Sequence, residues 1–312
     1  MNRFFAVFLL LSLVLSGCSS KGQGDLAGER ISFRDDSGAM VSVPAAPKTV
    51  AVLTSSLADI WQTAGGKVDI TVGETLERGF VTSEVILVDD GAGKTINLEL
   101  LIASQPDFVL YSSDLSGQLE CADALKSANI PAAGFAVETF QDYLDLLKIS
   151  TDILGNPEAY RQHGTLLQQE VEDLIAIAQQ QTVQPDILFV RAGSSAKYTK
   201  AKTADNHFVC AMLKDLGTNN IADSAPILLD GLSTEEILLS DPDVIFYTTM
   251  GEESAGVAYM ESLMNDPVWQ AMTAVETGRV YQLPKDLFQY KPNSRWDEAY
   301  AYLIRLLYGD IV

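Results

Sequence analysis

Basic and histidine side chains are scarce in this chain. Its 312 residues include 21 Lys and Arg, 42 Asp and Glu, and 2 His. A formal net charge of −21 excludes a protein that holds nucleic acid by neutralising phosphates. His163 and His207 do not form the histidine and carboxylate cluster that a bare metal ion needs. The charge favours a soluble monomer.

Cysteine is nearly as rare, with 3 residues in the chain. No CxxC pair or Cys/His cluster is present, which excludes the common structural zinc sites. An exported protein can join two cysteines in a disulfide. Cys121 and Cys210, however, fall in opposite halves of the chain, in segments with helical spacing. We therefore expect two buried free thiols.

Recognisable catalytic motifs are also missing. The sequence contains no G-x-S-x-G elbow, no P-loop and no HExxH helix. The Ser-rich stretch at 54–56 and the two histidines are weak indications of a hydrolase, which stays the alternative from another class. We expect a protein that is not an enzyme and that has no resident cofactor.

The amino terminus carries an apolar run, Phe4–Leu15, whose 12 residues are too few to span a bilayer comfortably. Arg3 precedes this run and Leu-Ser-Gly-Cys follows it, an order that resembles a bacterial lipoprotein signal. We predict a signal peptide at 1–17, lipidation of Cys18, and a flexible tether over 18–44. The alternative is a plain signal peptide with an incidental cysteine. Either reading places the folded chain outside the cytoplasmic membrane.

From residue 49 onwards, short β-rich runs alternate with helical stretches, which predicts βαβ units and a mainly parallel sheet. Residues 157–181 interrupt this alternation with one long helical pattern, which Asn156 caps and Pro157 begins. The fold class is therefore α/β, with two Rossmann-like lobes joined by a single linker helix. The predicted boundaries are 45–155 for the N-lobe, 156–182 for the linker and 183–312 for the C-lobe.

The two lobes share a repeated phrase, NLELLIASQPDFVLY at 97–111 and STEEILLSDPDVIFY at 233–247. Each copy begins with a polar helix cap, turns at Pro-Asp and continues into an apolar strand. Glu99 and Glu235 fall at the second helical position of the two copies. A carboxylate there offsets the helix dipole, and this is a sufficient structural explanation for either residue alone.

Five stretches, in this order and spacing, resemble the substrate-binding proteins of ABC importers for iron–siderophores, haem and cobalamin. They are PKTVAVLTSSLADI, INLELLIASQPDFVLY, NHFVCAMLKDLGTNNIAD, LSTEEILLSDPDVIFY and DPVWQAMTAVETGRVYQLP. The resemblance implies a class III periplasmic-binding-protein fold with a ligand in the cleft between the lobes. It also implies that Glu99 and Glu235 dock the permease, which works with its ATPase. The lipid anchor would hold the protein at the outer face of the membrane.

Ligands of open α/β sheets bind beyond the carboxyl ends of the strands, which selects seven candidate loops. These are 54–56, 73–78, 90–94 and 112–115 in the N-lobe and 191–202, 248–253 and 285–295 in the C-lobe. From these loops the ligand-binding candidates are Ser55, Ser56, Arg78, Arg191, Lys197, Lys202, Lys285, Tyr290 and Lys291.

Each strong candidate has a structural alternative. Arg191 ends a strand and could pair with a neighbouring carboxylate. Lys197, Lys200 and Lys202 could belong to a solvated loop, while Trp296 is expected in the core of the terminal helix. A cationic rim suits an anionic ligand, so a ferric siderophore is the leading expectation. Corrinoid and haem remain alternatives, and His207 is a weak candidate for a haem ligand.

Overall fold

The N-lobe of the computed structural model, which describes residues 28–89 and 95–312, is built on a parallel sheet. Its elements are β1 (Arg30–Arg34), β2 (Met40–Pro44), β3 (Val50–Val52), α1 (Ser55–Thr63), β4 (Ile70–Thr71), α2 (Gly73–Glu77), β5 (Ile86–Leu87), α3 (Leu98–Ala103), β6 (Phe108–Ser112), α4 (Ser116–Ser127), β7 (Ala132–Phe135) and α5 (Phe140–Leu154). The strand order is β5-β4-β3-β6-β7, with all pairs parallel. The central strands β3 and β6 are buried on both faces, as their continuous apolar runs require.

The predicted tether over 18–44 is wrong for its second half, because β1 and β2 form an antiparallel hairpin. Val41 and Val43 alternate inward on β2 and join the core of the N-lobe. The turn of the hairpin is tied to β7, where the backbone N–H of Ala136 donates to the Asp36 carboxylate at 2.6 Å. The described part of the N-lobe therefore begins at the hairpin. Cys18 and the predicted signal peptide lie outside the described residues.

The linker between the lobes is continuous helical structure from Pro157 to Gln179. It consists of α6 (Pro157–Tyr160), a π-helical turn (Arg161–Leu166) and α7 (Leu167–Gln179). Asn156 caps it with a hydrogen bond from the Ala159 N–H, as predicted. Gly164 lies in the π turn, where an added Cβ would come within 2.9 Å of the Tyr160 ring. The widened turn fits a residue without a side chain.

The C-lobe repeats the parallel α/β design. Its elements are β8 (Asp186–Ala192), β9 (Lys200–Ala201), α8 (Phe208–Asp215), β10 (Asn219–Asn220), α9 (Ile221–Ser224), α10 (Thr234–Ser240), β11 (Val244–Thr249), α11 (Glu253–Met264), α12 (Thr273–Glu276), β12 (Val280–Gln282), α13 (Lys285–Phe288) and α14 (Trp296–Tyr308). The strand order is β10-β8-β11-β12, with β9 antiparallel on β8. The predicted fold class is confirmed.

A single apolar cluster connects the two lobes. It includes Leu146 on α5, Val171 on α7 and Leu303 on α14, all of them buried. Trp296, the first residue of α14, belongs to the same cluster, as expected from the sequence. Because buried side chains of the linker and of both lobes pack together, hinge motion between the lobes has to disturb a common core.

The repeated phrase forms the same unit in both lobes. Asn97 caps α3 and Ser233 caps α10, each by accepting a hydrogen bond from a backbone N–H three residues on. After each helix, one residue adopts a left-handed backbone, with φ of 47° at Gln105 and 39° at Asp241. Asparagine and aspartate tolerate this conformation, whereas glutamine does so less readily. The following proline then directs the chain into the strand.

The aspartate of the Pro-Asp pair holds the neighbouring strand in both lobes. The Asp107 carboxylate accepts hydrogen bonds from the N–H groups of Lys48 and Thr49, at 2.8 and 3.0 Å. The Asp243 carboxylate accepts from the N–H of Asp186 at 2.9 Å. These N–H groups precede or begin β3 and β8, where the backbone needs an acceptor. The sequence repeat thus reflects a strand-anchoring function of its aspartate.

Both cysteines in the described part of the chain are free and buried, as predicted. Burial raises the pKa of the Cys121 thiol and, more strongly, that of Cys210. Neither thiol is therefore a reactive thiolate at neutral pH.

Candidate functional site

A cavity of about 580 Å³ lies between the lobes. The N-lobe contributes residues that follow β6 and β7, and the C-lobe contributes Arg191 near the end of β8, the segment 204–208 before and at the start of α8, and the loop after α13. The cavity thus lies beyond the carboxyl ends of the parallel strands β6, β7 and β8. Its lining residues are Asp114, Glu138, Thr139, Arg191, Ala204, Asp205, Asn206, His207, Phe208, Gln289 and Lys291. Arg191 and Lys291, both from the C-lobe, were identified from the sequence as candidates, and both line this cavity.

Arg191 is the unpaired cation of the cavity. Within the described residues, no carboxylate lies within 4 Å of its guanidinium, and its Nε is buried without a hydrogen-bond partner. Burial lowers the pKa of Arg191, and the nearby Glu138 opposes that shift. Arg191 thus forms no salt bridge with any described residue, although a salt bridge was the structural alternative for it. A partly buried charge without a partner is costly, so an anion bound here would be stabilised.

Thr248 lies beside Arg191, and its side chain also has a buried polar atom without a hydrogen-bond partner among the described residues. The two residues are register partners on β11 and β8, so their side chains project from the same face of the sheet. Thr248 is 1% exposed, and its Oγ1 has no hydrogen-bond partner among the described residues. Two adjacent side chains thus both have a polar atom without a partner among the described residues, but of the two only Arg191 lines the cavity.

Lys291 has two contacts that fix its position. Its Nζ lies 2.9 Å from a carboxylate oxygen of Glu138 in the opposite lobe. The same ammonium sits 4.5 Å from the centre of the Phe208 ring, within the range of a cation–π interaction. The Lys291 side chain is 19% exposed and the Glu138 side chain 52%. The ion pair therefore connects the two lobes at the edge of the cavity.

His207 is a neutral ring in the wall of the cavity. Burial and the positive charges of Arg191, Lys291 and Lys202 lower its pKa to about 3. Its Nδ1 accepts a hydrogen bond from the Val209 N–H at 3.3 Å and so caps α8. Because Nδ1 is the acceptor, the proton of the neutral ring is on Nε2. In this form the ring can donate a hydrogen bond but cannot bind a metal through Nε2.

The remaining charges make the cavity mixed in sign. Burial, together with the negative charge of Glu138, raises the pKa of Asp114. Glu138 and Asp205 are the other carboxylates of the lining, against the cations Arg191 and Lys291. The carboxylates of the N-lobe and the cations of the C-lobe thus occupy opposite walls. No group of three His, Cys, Asp or Glu residues with metal-binding geometry occurs in residues 28–89 and 95–312.

A second contact between the lobes involves predicted candidates that do not line the cavity. The Arg78 guanidinium lies 3.9 Å from the centre of the Tyr290 ring, and its Nη1 donates to Ser55 Oγ at 2.8 Å. The Lys285 ammonium lies on the same Tyr290 ring at 5.3 Å. The structure therefore places Arg78, Ser55, Tyr290 and Lys285 in an inter-lobe contact beside the cavity.

Asn293 reinforces this contact from the C-lobe. Its side chain is fully buried, and its Nδ2 donates to the Asp59 carboxylate at 2.8 Å and to the carbonyl of Ser56 at 3.1 Å. The backbone of Asn293 is left-handed, with φ of 51°. Asparagine tolerates this conformation, and the hydrogen bonds of its buried side chain fix the position of the 285–295 loop on α1.

The other sequence candidates lie farther away. The Lys197 ammonium packs on the exposed Tyr198 ring at 5.4 Å and does not line the cavity. Lys202 follows β9 and acts on His207 through its charge. Of the residues of the predicted basic rim, Arg191 and Lys291 line the cavity. The candidate loop at 90–94 lies outside the described residues.

Glu138 is a cavity residue that the sequence candidates omitted. It lies immediately before Thr139, whose side chain caps α5 in a capping box with Asp142. The pattern Thr-x-x-Asp after the apolar run of β7 marks this loop as the carboxyl end of a strand. That signal was present in the sequence, but nothing in it indicated that the glutamate would reach Lys291 from the other lobe.

Glu99 and Glu235 are both exposed at the second position of α3 and α10, as predicted from the repeat. Neither residue lines the cavity. Their geometry is compatible with a contact that leaves the ligand site undisturbed, and it is equally compatible with the helix-dipole explanation.

Two α/β lobes, one linker helix and a cavity with an unpaired cation between the lobes define a solute-binding protein. The chain belongs to the periplasmic binding protein family, whose model matches residues 50–287. The family is extracytoplasmic, and it is a family of binding proteins. In residues 28–89 and 95–312 no helix has both the length and the apolar character needed to cross a membrane.

Three relatives illustrate the similarity. The Fe(3+)-citrate-binding protein YfmC of Bacillus subtilis (strain 168) is 22% identical over 290 residues, which cover 90% of this chain and 88% of YfmC. Staphylococcus aureus SirA in complex with staphyloferrin B has a TM-score of 0.69 at 17% identity, covering 89% of this chain and 98% of SirA. The periplasmic heme-binding protein RhuT from Roseiflexus sp. RS-1 has a TM-score of 0.68 at 18% identity, covering 84% of this chain and 98% of RhuT.

Proposed function

We propose that this protein is the substrate-binding component of an ABC importer and captures an anionic ferric chelate in the cavity between its lobes. The observation that carries this proposal is the partly buried, unpaired guanidinium of Arg191 on the wall of a cavity of about 580 Å³. Arginine presents several donors in a planar fork and is suited to carboxylate oxygens. YfmC, whose name specifies Fe(3+)-citrate, supports the same ligand chemistry.

Each cavity residue has a distinct role in this proposal. Arg191 receives a carboxylate of the chelate. His207 donates from Nε2 to a second ligand oxygen, and Lys291 supplies a further positive charge. The iron is part of the ligand, and its coordination is completed by the chelator. Since the lobes share a core, closure is limited and little ordering cost accompanies binding.

Haem and corrinoid are the alternative ligands. RhuT is described as a heme-binding protein, and His207 lines the cavity here. The hydrogen bond at Nδ1 nevertheless gives His207 the tautomer that cannot ligate iron through Nε2. A neutral corrinoid would leave the Arg191 charge without a partner. The anionic ferric chelate is therefore the better match.

The test is a titration of the purified protein with ferric citrate, a ferric catecholate, haem and cyanocobalamin, monitored by tryptophan fluorescence. Trp296 is a suitable reporter because it contacts Phe208, a lining residue, at a ring distance of 5.9 Å. We expect Arg191→Met to weaken ferric citrate binding by about 100-fold. Lys197→Met, which removes a cation outside the cavity, is the matched control and should leave affinity within about twofold.

Two results would contradict the proposal. Equal affinity of Arg191→Met and the unchanged protein for ferric citrate would remove Arg191 from the site. Tight binding of cyanocobalamin, independent of salt and of Arg191, would identify a corrinoid carrier within the same family.

Hydrolysis of generic ester or phosphate substrates by the purified protein would contradict the expectation that it is not an enzyme.

The proposed location is the outer face of the cell membrane, through a lipid on Cys18, with the protein acting as a monomer. Two or more acyl chains anchor a protein stably, whereas one binds only marginally. Cys18→Ala should release the protein from membranes or leave its signal peptide uncleaved. Retention of the Cys18→Ala protein in membranes after salt and carbonate washing would contradict lipidation.

A further inference from the structure

One ion pair crosses the edge of the cavity, and both of its members line that cavity. Glu138 comes from the N-lobe and Lys291 from the C-lobe, with 2.9 Å between the carboxylate oxygen and Nζ. The pair is therefore located where a ligand has to enter or be enclosed. An anion that reaches Lys291 meets the Glu138 carboxylate already in place.

The two side chains are held differently. The backbone of Glu138 is fixed, because its N–H donates to Asp142 in the capping box of α5, at 3.0 Å. Its side chain is half exposed and forms an ion pair with Lys291. Lys291 keeps a second support, the Phe208 ring at 4.5 Å from Nζ. Glu138 can thus swing away by side-chain rotation while Lys291 stays in position.

Glu138 also affects the other charges of the cavity. It is the carboxylate whose charge acts on Arg191, and it contributes to the raised pKa of Asp114. Its negative charge therefore opposes the entry of any anion and partly satisfies the cations that would bind one. An anionic ligand has to compensate for this interaction before it gains affinity.

We propose that Glu138 is an internal counter-ion that competes with the ligand for Lys291 and sets the minimum negative charge that the cavity accepts. Binding is then an exchange, in which a ligand carboxylate replaces Glu138 on Lys291 and Glu138 moves into solvent. Ligands with several negative charges gain more from Lys291 and Arg191 than they lose to Glu138. Neutral and weakly charged ligands do not. This inference rests on the proposed function and adds a specificity-determining residue to it.

The first experiment compares Glu138→Gln with Glu158→Gln. Glu158 forms an ion pair of 2.6 Å with Arg161 on the linker and is also exposed, so its replacement removes the same charge far from the cavity. We expect Glu138→Gln to bind ferric citrate about fivefold more tightly than the unchanged protein, the equivalent of an exposed ion pair. Affinity for a neutral ferric trihydroxamate should rise less. Equal affinities of the two variants for ferric citrate would overturn the proposal, as would weaker binding by Glu138→Gln.

The second experiment asks whether Glu138 acts through Lys291. In a double-mutant cycle, Glu138→Gln, Lys291→Met and the double variant are titrated with ferric citrate. The gain from Glu138→Gln should be largest when Lys291 is present and should shrink at least about twofold in the Lys291→Met background. An undiminished gain would mean that Glu138 repels the ligand directly, and the exchange on Lys291 would be wrong.

The third experiment needs no ligand and separates this inference from the proposed function. Purified variants are treated with a limiting amine-reactive acetylating reagent, and the modification of Lys291 is followed by mass spectrometry. Release from Glu138 should increase the Lys291 modification rate about twofold or more in Glu138→Gln and not in Glu158→Gln. An unchanged rate would overturn the competition even if ferric citrate binds. If the rate increases but no chelate binds the unchanged protein, the proposed function fails while the Glu138–Lys291 interaction stands.

Discussion

The two lobes are alike at α3 and α10, whose surroundings we call the tips of the lobes, and they differ in the charges that they present to the cleft. At the tips, α3 and α10 start with the same kind of cap, carry an exposed glutamate at the same position and end in the same left-handed turn. At the cleft, the N-lobe presents the carboxylates Asp114 and Glu138, whereas the C-lobe presents the cations Arg191 and Lys291 beside one carboxylate, Asp205. The shared features are helix caps and turns, which provide hydrogen-bond partners for backbone groups that every helix–turn–strand unit contains. The differing parts are side chains on loops, which the fold leaves free to vary.

The tips also differ in one respect. Leu239 on α10 is 81% exposed, and it lies one turn after Glu235 on the same face of that helix. The corresponding residue of the N-lobe is Ala103. The C-lobe tip therefore offers more apolar surface than the N-lobe tip. If both tips dock a partner, the two matching motifs need not contribute equally to its affinity.

The largest expected effect tests whether the similar tips share a function. Glu99→Ala/Glu235→Ala should lower uptake by cells at least about tenfold while ligand affinity of the purified protein is unchanged, because both carboxylates lie outside the cavity. The expected stability loss is about 1 kcal/mol per site from the helix dipole. Glu236→Ala, at the next position of α10, is the control. Normal uptake by the double variant would leave the dipole as the full explanation.

The next largest effect concerns His207 of the C-lobe. The described N-lobe residues contribute no histidine to the cavity lining. Its pKa is about 3 in the folded protein, below the ordinary value of 6.5. Between these values the unfolded chain binds the proton and the folded chain does not, so stability falls as pH decreases, by about 1.4 kcal/mol per unit. By pH 4 the loss attributable to His207 should reach about 3 kcal/mol.

The measurement is chemical denaturation of the unchanged protein and of His207→Asn between pH 7 and pH 4. Asparagine keeps a good helix cap but has no proton to bind. The stability difference between the two proteins should shift in favour of the variant as pH decreases. Parallel pH profiles would show that His207 is not responsible.

A smaller effect on stability should distinguish the packing of Tyr111 from that of Tyr247, the tyrosines that end the two copies of the repeated phrase. Tyr111 lies over Gly134 of the neighbouring strand, where an added Cβ would be 2.6 Å from the ring. Tyr247 instead has Gln282 as its register partner. We expect Gly134→Ala to destabilise the protein by about 2 kcal/mol and Gln282→Ala to change stability by less than about 0.5 kcal/mol. Equal thermal shifts for the two variants would contradict this contrast.

The smallest effect compares the two strand-anchoring aspartates. Asp107 accepts hydrogen bonds from two backbone N–H groups and Asp243 from one. Their replacement by alanine should cost about 2 and about 1 kcal/mol, respectively. Asparagine keeps an acceptor oxygen and should restore about half of each loss. Urea denaturation of the four variants measures this, and a larger loss for Asp243→Ala would reverse the inferred order.

Several elements of this protein could be predicted from local sequence. The runs at β3, β6, β8 and β11 have continuous apolar centres, which is typical of strands buried on both faces of a parallel sheet. Asn156 and Pro157 marked the start of the linker helix, and the repeat marked the turns before β6 and β11. The hairpin at the amino terminus was missed because its strands are short and partly exposed, and they follow a Ser/Gly-rich stretch.

The candidate site was predicted in part. Arg191 was recognisable because a charged residue at the end of an apolar strand requires a partner. Lys291 was recognisable as a cation in a loop that follows the last strand. Tyr290 and Arg78, two of the predicted candidates, stack on one another between the lobes and do not line the cavity. No local pattern encodes whether two such side chains meet a ligand or each other.

The sequence by itself determined the α/β alternation, the linker, the paired tips and the strand ends at which a ligand site had to form. These follow from periodicity, caps and turns, which act between residues close together in the chain. Only the tertiary structure decided that Glu138 pairs with Lys291 across the lobes while Arg191 stays unpaired. The partners of a charged side chain depend on distances between residues more than 100 positions apart, and these distances exist only once both lobes have packed on the linker.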